Sequence, residues 1–205
     1  YIYFEGDEKQ EILGKFQTVW GGGTTIDEAK NPKNKSIIER EAKRFLKSAK
    51  ERGGKLFLKK FPSTNTTILD IENFLWNFEK IEGNKVDMLL IDYLELIQPN
   101  PTKSYGISDK YEPAADNLRF IEDMITKEKL NCAAWVFVQG TKYTNGVSNL
   151  TLEQMGGSAK IPQIAHVIAL IGKSFEQSAN STANINIVGN RLGYTVRLKD
   201  IIYDN

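Results

Sequence analysis

Apolar and polar positions along the chain fall into two alternating kinds of segment. Short runs of apolar or β-branched residues stand at 1–4, 55–61, 86–92, 132–138 and 167–171. Between them lie longer stretches in which apolar residues recur every three or four positions. The first kind predicts strands and the second amphipathic helices. One helix is expected over the acidic segment 7–16, with Ile12, Leu13 and Phe16 on one face, and residues 20–35, which include Gly21-Gly22-Gly23, read as loop. A second helix opens at Ser36, with Glu39 placed for a capping box. Its apolar stripe is Ile37, Ile38, Ala42, Phe45, Leu46 and Ala49, and Gly53-Gly54 closes it. Thr67 caps a third, with Asp70 at the reciprocal position, Ile71, Phe74, Leu75 and Phe78 facing the core, and Gly83 at the end. A fourth covers about 114–130. The segments 185–188 and 194–202 pair as a terminal hairpin. Strands alternating with helices imply an α/β domain built on a mostly parallel sheet, which the hairpin extends antiparallel.

Polar residues fall just past three of the apolar runs: Glu5, Asp92 and Gln139. Ligands of an open α/β sheet bind at that edge. The run Val86-Asp87-Met88-Leu89-Leu90-Ile91-Asp92 is the most telling, because a buried strand there delivers one carboxylate to the sheet edge. In nucleotide hydrolases such an aspartate holds the water shell of a Mg²⁺ bound to the phosphates of ATP. Tyr93 follows Asp92, so a catalytic base has to come from another strand, and Glu5 is the candidate. Gln139 is placed to sense the γ-phosphate. No G-x-x-x-x-G-K-[ST] loop occurs among these residues, so they hold half of an ATP site. Gly172-Lys173-Ser174 imitates one, but Val167 replaces the required first glycine and no helix pattern follows.

Composition narrows the class without choosing within it. The chain has 205 residues, 40% hydrophobic and 26% charged, a net charge of +1 and a single cysteine, Cys132. No apolar run approaches the ~20 residues that span a bilayer. A lone cysteine excludes disulfides within the chain and fits a reducing cytoplasm. The near-zero charge argues against a broad DNA-binding face but not against a ring whose subunits each contribute a few cations. Lone His166 reads as a structural residue at a strand start, and zinc is not expected.

Taken in order, these segments resemble the C-terminal RecA-like motor domain of hexameric replicative DNA helicases, the DnaB family, above all its phage branch. The resemblance rests on Tyr1-Ile2-Tyr3-Phe4-Glu5-Gly6, on Ile91-Asp92-Tyr93-Leu94-Glu95 as the Walker B strand, and on Trp135-Val136-Phe137-Val138-Gln139. It extends to Gly157-Ser158 before the next apolar strand, and to Gly189-Asn190-Arg191-Leu192-Gly193 near the end. It implies an ATP- and Mg²⁺-dependent motor that forms a hexameric ring on single-stranded DNA, with primase and a helicase loader as further partners. Under it, Asp92 serves the metal, Glu5 the attacking water, and Arg191 the neighbouring subunit's ATP as an arginine finger. DNA contacts fall to Lys142, Gly156, Gly157 and Lys160. Gly189 and His166 depart from the family, which has lysine and often aspartate at those positions. The rivals are another RecA-like recombination or repair ATPase, and a non-hydrolysing DNA-binding scaffold.

Overall fold

Residues 1–6, 31–106, 112–126, 129–155, 160–191 and 193–202 are described in the structure, a computed structural model. The chain divides into two units, one formed by Tyr1–Phe4 and Phe61–Ile202, the other by Glu5–Lys60 with Tyr203–Asn205.

In the larger unit, strands β1 (Ile2–Tyr3), β3 (Met88–Asp92) and β4 (Ala133–Val136) lie side by side and parallel. Tyr3 stands opposite Asp92, and Ile91 opposite Val136. Ile2, Leu89 and Ile91 are buried, which is why these runs are apolar. Helix α2 (Ile68–Glu82) begins as its sequence predicts: the Thr67 hydroxyl and amide both meet the Asp70 carboxylate, at 2.6 and 2.8 Å. It ends at Gly83, whose φ of 65° is the left-handed conformation that glycine adopts at little cost. Ile68, Ile71 and Leu75 of α2 join Ala115, Leu118, Ile121 and Met124 of α3 (Glu112–Met124) in one core with the strands. Each fully buried isoleucine or leucine there contributes about 1.5–3 kcal/mol relative to exposure. Helix α3 is shorter than the expected 114–130, ending at Met124, with the Leu130 amide bonded back to the Met124 carbonyl.

After β4 the chain passes through short 3₁₀ turns at Lys142–Thr144 and Leu152–Gln154 and a four-residue helix α4 (Ile161–Ile164). β5 (Val167–Gly172), α5 (Phe175–Ala179), β6 (Thr182–Asn190) and β7 (Val196–Ile202) complete the unit. β6 and β7 form the predicted hairpin, and β6 pairs antiparallel with β5. Among the described residues, β5 joins β6 but not β4, so the strands of this unit make two sheets and not one.

Helix α1 (Lys35–Glu51) and strand β2 (Lys59–Lys60) belong to the smaller unit. Ser36 is not the cap of α1. A 3₁₀ turn at Pro32–Asn34 precedes it, capped by the Asn31 side chain, so Ser36 falls inside the first helical turn. Gly53, at φ 76°, closes the helix as expected. Only Ile38 of its apolar residues is buried, while Ile37, Phe45 and Leu46 are exposed. The strand expected over 55–61 shrinks to Lys59–Lys60, with Leu56 and Phe57 exposed. The predicted helix over 7–16 and most of the loop over 20–35 lie outside the described residues.

Candidate functional site

The parallel register brings the carboxyl ends of β1, β3 and β4 to one edge. Asp92 is the last residue of β3, half-buried, and its peptide bond to Tyr93 is cis. The hydroxyl of Tyr1 donates to Asp92 Oδ2. Tyr1 is not among the residues marked out by the sequence. It lies two positions before Tyr3, the residue opposite Asp92, so strand alternation puts both tyrosines on one face. Their rings stack, with centroids 5.8 Å apart and 21° between planes. Burial pushes the Tyr1 hydroxyl above its ordinary range, and the hydrogen bond and charge of Asp92 add to the shift.

Beyond Asp92 a 3₁₀ turn at Leu94–Leu96 ties β3 to β4. The Leu94 amide donates to the Phe137 carbonyl at 2.9 Å, and the Gln139 amide donates to Glu95 Oε1 at 3.1 Å. Glu95 is the second residue that sequence reasoning passes over. Partial burial raises its carboxyl pKa, against the lowering effect of the backbone donors at Glu95 and Gln139. Gln139 is thus held through its main chain beside the Asp92 strand, with an exposed side chain. Glu5 lies two residues beyond β1, is exposed, and groups with the smaller unit.

The remaining predicted residues lie elsewhere. The Arg191 amide donates to the His166 carbonyl at 2.9 Å, and its guanidinium donates to the Gln163 carbonyl in α4. Lys160 directly precedes α4, and its ammonium meets both oxygens of Glu112 at 2.7 and 2.8 Å. Lys142 begins a 3₁₀ turn, while Gly156 and Gly157 lie outside the described residues. His166 immediately precedes β5, with Nε2 3.5 Å from Glu122 Oε1. The Gly172-Lys173-Ser174 imitation needs one correction. Ser174 does cap a short helix, α5, through a box with Gln177. Gly172 is nevertheless packed against the carbonyls of Val147 and Ser148, which leaves its loop no room to wrap a phosphate.

Asp92 supplies a hard oxygen donor at the sheet edge, suited to Mg²⁺ that keeps most of its water shell. Among the described residues there is no cluster of three or more acidic, histidine or cysteine side chains placed to hold a metal ion.

No family model matches the chain, and no curated protein matches it in sequence. Solved structures do match. One is a DnaB-like replicative helicase, described with its interactions with primase, at TM-score 0.69 and 14% identity over 96% of this chain and 46% of that one. Another is described as an ATPase domain, at TM-score 0.69 and 14% identity over 96% of this chain and 68% of that one. The chain spans less than half the length of the first. Its fold is the RecA-like α/β fold with a C-terminal antiparallel hairpin, as in DnaB-type helicase domains.

Proposed function

We propose that this chain is the larger part of the ATPase motor of a hexameric replicative DNA helicase, coupling ATP hydrolysis at subunit interfaces to movement along single-stranded DNA. The observation that carries the proposal is Asp92 at the carboxyl end of a buried parallel strand, flanked by the strand leading to Gln139, in a fold shared with helicase ATPase domains. Asp92 would hold Mg²⁺ through water and Glu5 would orient the attacking water. Gln139 would report the γ-phosphate through a main chain fixed by Glu95. Arg191 would exchange the Gln163 carbonyl for a neighbouring subunit's phosphate, toward which its planar fork makes stronger charge-assisted bonds. Lys142, Lys160, Gly156 and Gly157 would meet the DNA backbone. The ATP and Mg²⁺ requirement, the ring and a primase or loader partner belong to this reading.

Residues 1–205 carry no phosphate-binding loop of the G-x-x-x-x-G-K-[ST] type, so they should not hydrolyse ATP on their own. The test measures ATP hydrolysis and forked-duplex unwinding by the parent polypeptide, with and without single-stranded DNA, and by Asp92→Asn. DNA-stimulated hydrolysis that Asp92→Asn abolishes, together with unwinding, is the expected result. Hydrolysis without unwinding would move the protein to the recombination or repair ATPases. DNA binding without hydrolysis would make it a scaffold.

A further inference from the structure

Tyr143 and Phe175 are 70% and 74% exposed, whereas Phe4 and Phe61 in the core are at 9% or less. A single exposed ring needs no explanation. These two, however, are presented at one place by a backbone that is held on both sides. Before the turn at Lys142–Thr144, Gly140 bridges to Met155 and the Thr141 amide meets the Gln154 carbonyl. The Thr144 amide and hydroxyl both return to the Thr141 carbonyl, at 3.0 and 2.7 Å. After the turn, the chain is docked against the corner between β5 and α5. The carbonyls of Val147 and Ser148 pack on Gly172, and the Asn149 side-chain oxygen accepts from Asn184 of β6 at 3.2 Å. Gly146, at φ 74°, lies against one side of the Phe175 ring, where a Cβ would stand 2.6 Å from Cε2. Phe175 is fixed in turn as the first residue of α5 by the reciprocal box between Ser174 and Gln177. Three residues separate Tyr143 from Gly146, so its Cα lies within about 11 Å of the backbone that Phe175 touches. Gly172-Lys173-Ser174, which has no room to wrap a phosphate, is thus the corner that presents Phe175.

We propose that Tyr143 and Phe175 form a stacking platform for the unpaired bases of single-stranded DNA. The proposal rests on the DNA-motor reading and adds base contacts to the backbone contacts assigned there. Every nucleobase has a π-face, so aromatic stacking holds a strand without regard to its sequence, as a moving motor requires. Charge and polarity select this occupant over an apolar protein segment. Segments 140–150 and 172–177 carry Lys142 and Lys173 against Glu176, and the neighbours of the two rings, Thr141, Thr144, Asn145 and Ser174, are small and polar. A phosphate backbone suits the two cations, and small polar neighbours offer no apolar rim to a protein partner. A span of about 11 Å corresponds to about three stacked nucleotides at 3.4 Å each, so both rings can serve one strand. Because the turn and the corner are held before DNA arrives, little ordering is left for binding to impose.

Fluorescence anisotropy with two oligonucleotides of equal length, one of thymidine and one abasic, tests the platform at a fixed salt concentration. Phosphate contacts are common to both strands, and stacking is open to the first alone. The protein should prefer the thymidine strand. Tyr143→Leu and Phe175→Leu should each weaken binding of that strand by about 5-fold or more and leave the abasic strand within about 2-fold. Tyr143→Phe, which keeps the ring, should bind as the unsubstituted protein does. A strand carrying 5-iododeoxyuridine should crosslink under ultraviolet light to Tyr143 or Phe175, as located by mass spectrometry. Equal losses on both strands, no loss on either, a Tyr143→Phe protein as weak as Tyr143→Leu, or crosslinks confined to other residues would each overturn the platform. Failure to bind either strand would overturn the platform and the motor together. DNA-stimulated hydrolysis and unwinding by the parent polypeptide, with an unchanged thymidine preference in both leucine variants, would overturn the platform and leave the motor. A preference lost in those variants, in a parent that does not hydrolyse ATP, would support the platform and refute the motor.

Discussion

Replacing Tyr1 by phenylalanine removes one hydroxyl and keeps the ring that stacks on Tyr3. What is lost is a hydrogen bond to the Asp92 carboxylate. Bonds to charged groups contribute about 1.5–3 kcal/mol. Asp92 is only half-buried, so water replaces part of the bond and the lower end applies, about 1.5 kcal/mol. Urea unfolding of Tyr1→Phe, of Asp92→Asn and of the double variant closes a cycle that isolates the coupling. Asparagine keeps an acceptor for the hydroxyl, so the coupling should be weakened and not abolished. The pH dependence has a definite sign. The Tyr1 hydroxyl is raised above its ordinary pKa of about 10, so the folded state keeps a proton that the unfolded chain has lost. The advantage over Tyr1→Phe should be constant below about pH 10 and decline as pH rises further toward the folded value. A Tyr1→Phe protein as stable as the unsubstituted one, within about 0.3 kcal/mol at pH 7, would show that solvent meets the hydroxyl equally well and would remove Tyr1 from the site.

Three further outcomes are open to direct measurement. Thr67→Ala should cost about 1 kcal/mol by loss of the α2 cap, and the difference should fade in acid. The hydrogen bonds of Thr67 hold the Asp70 carboxyl below its usual range, so the part of this stability that rests on the carboxylate is present above about pH 4 and lost as pH falls through the folded value; a pH-independent difference would show that the carboxylate adds nothing to the cap. Gly172→Ala puts a Cβ 2.6 Å from the Val147 carbonyl oxygen and 2.9 Å from that of Ser148, both main chain. Urea unfolding should register a loss of about 1–3 kcal/mol, and unchanged stability would show that the 147–150 segment yields freely. Glu112→Gln weakens two solvent-accessible ion pairs, to Lys160 and to Arg119, and should change stability by less than about 1 kcal/mol. At the other end of the first pair, Lys160→Gln should flatten the salt dependence of single-stranded DNA binding in the parent by about 0.7 in log–log slope, and an unaltered slope would exclude Lys160 from the DNA path.

How much of this was legible depended on how local each signal is. The α2 cap at Thr67 and Asp70 and its stop at Gly83 involve neighbours in sequence, and both occur where the pattern puts them. Asp92 was visible because an apolar run that turns acidic carries its own strand end. Ser36 misled because Asn31 and Pro32 supply an earlier, equally local start. The segment 55–61 has strand-like residues, but apart from Lys59–Lys60 the described chain forms no ladder there, and propensity alone does not make a strand. The Tyr1–Asp92 and Glu95–Gln139 contacts span 91 and 44 positions, and only the register between strands creates them. One tyrosine and one glutamate among many carry no mark of that register. The split into two sheets was equally hidden, since apolar periodicity predicts strands without stating their neighbours.

Arg191 and Lys160, two cations assigned to ligands outside the chain, are both engaged within it, at the two sides of α4. That does not disqualify them, and the nature of each partner shows why. Arg191 is fixed at its amide by the His166 carbonyl, so its position at the end of β6 does not depend on its side chain. The guanidinium itself meets a neutral carbonyl, and a phosphate offers a bond roughly twice as strong. Ile161 and Ile164 anchor α4 in the core, so releasing the Gln163 carbonyl to solvent leaves the helix in place. Lys160 faces a carboxylate, but in an exposed pair worth no more than about 1 kcal/mol, and a nucleic-acid backbone competes for it on nearly equal terms. On the proposed function these contacts within the chain would be holding positions whose loss is cheap, while the packed parts around them, β5, β6 and the buried face of α4, would set where each cation is presented. The discriminating comparison is Arg191→Lys, which keeps the charge but loses the planar fork. Hydrolysis by the parent should fall sharply while folding stability stays nearly constant. Equal losses in both would place Arg191 in the fold and not at a neighbour's phosphate.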